Sequence, residues 1–145
     1  MDALKYPNIL MVGASAQSHR LVTDSLKSSL WGPSMPWNPA VNACGSFIAA
    51  LAFVRQRPGV DIVHIGNTVC MTAKDLRGGC QALALSLSAQ RRATWVAIDA
   101  VEDPEPAQLV AILEAAGVRA FASSLHNVIL AQAQHRAQYS MAAMS

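Results

Sequence analysis

The sequence predicts an α/β fold: a doubly wound, five-stranded parallel sheet with helices on both faces, three layers deep. Two observations carry this. Short apolar runs alternate five times with segments of helical periodicity, the βα repeat that builds a parallel sheet. The composition agrees, with 52% hydrophobic and only 14% charged residues, because strands covered on both faces read as near-continuous apolar runs. A chain of 145 residues fits one domain. That domain is expected over residues 1–140, with 141–145 as a frayed tail. No linker or internal repeat divides it.

The elements follow in order. "NILMVGAS", from Asn8 to Ser15, reads as a buried strand entering a loop, with Ser15 placed to cap a helix. In the next segment Val22, Leu26 and Leu30 fall at helical spacing, widened by Leu21. "WGPSMPWNPA" is the least regular stretch. Its Pro33, Pro36 and Pro39 restrict any strand there to an edge, since proline cannot donate to a ladder. "CGSFIAALAFVRQRPG" sets Phe47, Ile48, Leu51 and Val54 on one helical face and stops at Pro58-Gly59. A third strand, Val60 to Ile65, leads into a polar loop through Lys74 and Asp75. Leu76, Cys80, Leu83 and Leu87 then form a helical stripe, its first turn weakened by Gly78-Gly79. "TWVAIDA" is a fourth strand. "PEPAQLVAILEAAG" is a helix with proline and acids at its start and Gly117 at its stop. "VRAFASS" is the fifth strand and "LHNVILAQAQHRAQYS" the closing helix.

Several function classes are disfavoured. The formal net charge is +2 and Arg91-Arg92 is the one adjacent basic pair, far from the basic stripe of a nucleic-acid binder. No apolar run reaches the roughly 18–20 residues needed to span a bilayer, and the first ten residues lack a signal-peptide pattern. Cys44, Cys70 and Cys80 are odd in number and widely spaced, which suits buried free thiols rather than disulfides or zinc. A cytoplasmic protein is expected. His19, His64, His126 and His135 are scattered over four elements, with no i, i+4 pair to hold a metal. No G-x-S-x-G, G-x-G-x-x-G or P-loop motif occurs.

With the elements placed, the chain resembles a response-regulator receiver domain, the phosphoacceptor module of two-component signalling, over roughly Pro7 to Ala137. "NILMVGAS" resembles the family's first strand running into its acidic pair. "ACGSFIAALAFVRQRPGVDIVHIG" resembles the second helix, the following turn and the strand that ends at the phosphorylated aspartate. "LEAAGVRAFASSL" resembles the fourth helix, the glycine turn and the last strand. The resemblance implies a flavodoxin-like sheet, with functional groups beyond the carboxyl ends of the strands.

It also implies that the phosphorylation chemistry is gone. Gly13 and Ala14 stand where carboxylates would hold Mg²⁺, and Gly66 stands where the phosphoacceptor aspartate would be. Asp99 replaces a hydroxyl residue after the fourth strand, and Ser124 with Leu125 replaces the Lys-Pro pair after the fifth. Phe121 keeps the family's aromatic in kind. Without nucleophile, metal ligands and lysine, nothing is left to position and stabilise a transferring phosphoryl group.

Beside that resemblance, Asp99 alone reads as a loop carboxylate accepting backbone N–H bonds or capping a helix. Asp61 reads as structural, and His64 as packed against a helix or a backbone carbonyl. Trp31 and Trp37 among their prolines, with Phe121 and Leu125 at the end of the domain, form the candidate interaction surface. The expectation is a degenerate receiver that signals or scaffolds through a protein partner or a homodimer, without cofactor, metal or enzymatic activity. Such domains are joined to regulators and to localisation or assembly ATPases in bacteria, so the chain reads as a regulatory part of a larger protein. The alternative is a small-ligand sensor that uses the room left by glycine and alanine at 13, 14 and 66. An enzyme using Asp99 with Ser15 or Ser124 is the third class.

Overall fold

A computed structural model of the chain describes residues 8–13, 20, 24, 40–57, 59–66, 72–89, 94–99 and 105–144. Five strands form one sheet: β1 (Asn8–Val12), β2 (Ala40–Cys44), β3 (Ile62–Gly66), β4 (Trp95–Asp99) and β5 (Ala120–Phe121). Every pairing is parallel and the order is β2-β1-β3-β4-β5, a flavodoxin-like topology. Four helices are described: α1 (Phe47–Gln56), α2 (Ala73–Ser88), α3 (Pro106–Ala115) and α4 (Leu125–Met144). The helix expected around Val22, Ser15 as its cap, and the loop carrying Trp31 and Trp37 lie outside the described residues.

The period of two along each strand sorts the side chains into two cores. Leu10, Val12, Val63, Ile65, Val96 and Ile98 point to one face, where Phe47 and Ala50 of α1, Leu76 and Leu83 of α2, and Leu109 and Leu113 of α3 cover them. Ile9, Met11, Ile62, Trp95 and Ala97 point to the other, under Leu125, Val128 and Ile129 of α4. The closing helix therefore covers the face that carries His64, two residues on from Ile62.

Local chemistry sets the helix ends. Ser46 caps α1 by accepting from the Ala49 backbone N–H at 3.2 Å. Thr72 caps α2 in a reciprocal capping box with Asp75, an arrangement worth about 1 kcal/mol. The segment expected as loop through Lys74 and Asp75 is thus already helix, because Thr72 and Asp75 supply the start signal. α3 begins with Pro106 at its first position, directly after Glu105, and has no acid within its first turn. Gly117 follows its end at a φ of 85°, the left-handed conformation that terminates helices at glycine. α4 continues through Met141–Met144, where a loose tail is expected from sequence.

β2, which begins at Ala40 directly after Pro39, is an edge strand, as the prolines require. Two further expectations are corrected. Ile48 points outward at 82% exposure while Ala50 takes its place in the core, because α1 turns its face toward α2 at Phe47, Ala50 and Val54. Leu125, assigned to an interaction surface, is only 3% exposed. It is the first residue of α4 and packs inward beside Val128 and Ile129.

Gly78 and Gly79 lie within the second turn of α2 and have opposite surroundings. A Cβ on Gly79 would fall 2.3 Å from the Phe47 ring, whereas one on Gly78 would meet nothing within 4 Å. Gly79 lets α1 and α2 approach, and Gly78 only loosens the helix. Gly78→Ala should therefore stabilise the fold by about 0.4–1 kcal/mol. Gly79→Ala should destabilise it by about 1–3 kcal/mol through overpacking against Phe47. Urea unfolding of the two variants should move the midpoint in opposite directions.

Candidate functional site

The carboxyl ends of β3 and β4 bring together three residues. Gly66 and Asp99 are register partners across the two strands, and His64 precedes Gly66 on the same face. The imidazole does not stand upright from the sheet. It leans along β3 toward the strand end, so that Nε2 lies 3.3 Å from Asp99 Oδ2. A Cβ on residue 66 would be 2.8 Å from the His64 Cε1 and 2.7 Å from the Asp99 carbonyl oxygen. The lean is possible only over a glycine.

A carboxylate can only accept, so the contact requires the proton on Nε2 and leaves Nδ1 as a bare lone pair. That Nδ1 is buried and has no hydrogen-bond partner. An unsatisfied buried acceptor costs about 1–3 kcal/mol. His64 is 7% exposed, and burial pulls its pKa below the ordinary 6.5, against the opposing pull of the Asp99 hydrogen bond and charge. At neutral pH the ring is uncharged. The pair is then a neutral donor on a carboxylate, not an ion pair. The Asp99 side chain is 39% exposed, so it links the buried ring to solvent.

The other positions singled out by the sequence do structural work. Gly13 turns the chain after β1 at a φ of 85°, and its N–H donates to the Cys44 carbonyl at 2.7 Å. A residue with a side chain would be strained in that conformation. Ser124 caps α4: its Oγ accepts from the Asn127 N–H at 3.2 Å, while Ser123 Oγ accepts from the Asn127 side chain at 2.9 Å. Phe121 is half-buried, its ring centroid 5.2 Å from that of Trp95. The Arg119 guanidinium lies 4.8 Å from the centre of the Trp95 ring and the His135 ring packs on it at 5.3 Å. Ala14, Trp31 and Trp37 lie outside the described residues.

Two expectations change here. Among the described residues, Asp99 pairs with the His64 side chain rather than with a backbone N–H or a helix end, and His64, on the face that α4 covers, pairs with this carboxylate rather than with a carbonyl. At Gly66 itself, the imidazole and the Asp99 carbonyl occupy the space that a Cβ would take. Sequence reasoning missed the pair since it depends on register. The signal was present in the two-residue step from His64 to Gly66, which places both on one face.

At the opposite edge of the sheet, Asp61 is a structural carboxylate. It accepts from the Asn8 N–H at 2.7 Å, while its carbonyl accepts from the Trp95 N–H and the Gln132 side chain, both at 3.0 Å. A depression of about 240 Å³ lies beside it, lined by Asn8, Asn42, Phe53 and Arg57 among others. It is remote from His64 and Asp99. Cys44 and Cys80 are free thiols. Burial raises the pKa of both, that of Cys80 to about 12, so Cys80 is an unreactive core side chain. Cys70 is outside the described residues.

Among the described residues, no group of three or more His, Cys, Asp or Glu side chains could hold a metal ion. No helix among them is long and apolar enough to cross a membrane. No protein-family model matches the chain, and no curated protein matches it either.

The clearance over residue 66 has a measurable consequence. Gly66→Ala should destabilise the protein by about 1–3 kcal/mol, since the Asp99 carbonyl is backbone and cannot retreat. Gly66→Ala combined with His64→Ala should lose less than the sum of the single changes, because the second removes one of the two clashes. Strict additivity in urea unfolding would show that ring and glycine do not share space.

Proposed function

We propose that this chain is a receiver-like signalling or scaffolding domain that works through protein contacts without phosphorylation. The observation that carries the reading is the occupation of the Gly66 position. Where the resemblance would place a phosphoacceptor, the space for any side chain is taken by His64 and the Asp99 carbonyl. The flavodoxin-like strand order supports it, as do the structural duties of Gly13 and Ser124. Each stands where the family keeps a charged group, and each is held by backbone geometry or capping. With no covalent switch, regulation would come from a partner that binds two conformations unequally.

The reading has a direct test. Incubation with acetyl phosphate and Mg²⁺, or with beryllofluoride, should give no adduct by intact mass and no shift in melting temperature. Gly66→Asp should not acquire the adduct either, because metal ligands and lysine are still missing. A stoichiometric, hydroxylamine-labile phosphoryl adduct on the unaltered chain would overturn the proposal.

A further inference from the structure

The unexplained feature of the site is a buried imidazole with one nitrogen on a carboxylate and the other on nothing. In the neutral ring, Nδ1 is an unpaired acceptor. On protonation, Nδ1 becomes a donor, and a charge as well as an unsatisfied N–H would sit in the core. Asp99 favours the charged ring, but its side chain is 39% exposed, so solvent screens that attraction. Gly66 presents no side chain toward the ring, and the Asp99 side chain reaches the surface.

The groups around the ring leave His64 as the titrating element. β1 places Met11 beside it in register and β4 places Ala97. From α4, Leu125, Val128 and Ile129 cover this face. The titratable groups described on α4 are His126, which is half-buried and has a partner, and His135, packed on Trp95. Arg20 and Asp24 are exposed. Asp61 sits at the far end of β3, bound to the Asn8 N–H. Asp99 is the charged group in contact with His64 among the described residues.

We propose that the His64–Asp99 pair is a proton-operated latch: the neutral ring locks the carboxyl ends of β3 and β4, and protonation expels it over Gly66 and opens that edge. The carboxyl edge is where doubly wound sheets bind their ligands, so the latch would regulate access to it. The inference stands apart from the signalling reading, since it concerns only the chain itself.

The sign follows from linkage. A histidine whose pKa is lowered by folding stabilises the closed form fully above its ordinary value of 6.5. That contribution is lost as pH falls from there through the lowered value. One proton taken up on opening raises the opening equilibrium by up to about tenfold per pH unit in that window.

Hydrogen exchange of the Gly66 and Asp99 amides from pH 7.5 to 5, corrected for intrinsic rates, should show that rise. His64→Gln should abolish the pH dependence, and His126→Gln should not. Side-chain ¹⁵N spectra of the unaltered protein give a second reading independent of the variants. They should show the Nε2–H tautomer at pH 7.5 and a protonated ring that has lost contact with Gly66 at low pH. A ring that protonates while still packed on Gly66, pH-independent exchange in the unaltered chain, or the same pH dependence in His64→Gln would each overturn the latch.

Discussion

The contact between His64 and Asp99 exists because nothing projects from residue 66. A parallel sheet spaces its strands about 4.8 Å apart, and same-face side chains stand beside one another in register. His64 and Asp99 are not in register, since His64 pairs with Ala97 and Gly66 with Asp99. The ring must cross the diagonal, over the place where residue 66 would carry its side chain. Even a methyl there meets the imidazole on one side and the Asp99 carbonyl on the other. The glycine therefore fixes which atoms meet at the carboxyl edge, and through them the tautomer of the ring and the orphaned Nδ1.

The architecture was readable because it rests on periodicity. β3 and β4 are apolar on both faces, as strands between two helical layers must be, and each helix carries buried residues at spacings of three and four. The departures have local causes. Ile48 has the right polarity for the core, but α1 turns the smaller Ala50 inward. Lys74 and Asp75 look like loop residues until the Thr72–Asp75 capping box is recognised, after which both belong to the first turn of α2. β5 is only two residues long, pairing at Val96 and Ala97, while Val118 and Ala120 of its apolar run pack into the core under α1, α2 and α3.

The site was legible one residue at a time and opaque as a pair. The sequence marks the ends of β3 and β4 as the functional edge and identifies Asp99 as a carboxylate there. It cannot give the register that brings Asp99 alongside Gly66, because parallel strands joined by a long crossover are aligned by packing and not by a turn. His64, in the middle of an apolar strand, gives no hint that its ring leans forward by two residues. Leu125 failed as a surface residue for a related reason. Leu125 falls three and four residues before Val128 and Ile129, so it shares the helix face that α4 lays on the sheet.

The residues at the carboxyl edge also constrain what this chain could become. Under the signalling reading, Gly13, Gly66 and Ser124 stand where charged groups would otherwise act, yet none is an empty position. An aspartate at 13 would have to adopt a φ of 85° or break the Gly13 bond to Cys44. An acid at 66 would bring its Cβ to 2.8 Å from the His64 ring and 2.7 Å from the Asp99 carbonyl, so the ring would have to move. A lysine at 124 would remove the cap of α4, whose first residues close the core over Ile62 and Ala97. Each restoration disrupts a different contact: Gly13 with Cys44, Gly66 with His64 and Asp99, Ser124 with Asn127. Among the described residues, the one buried side-chain nitrogen or oxygen left without a partner is the Nδ1 of His64.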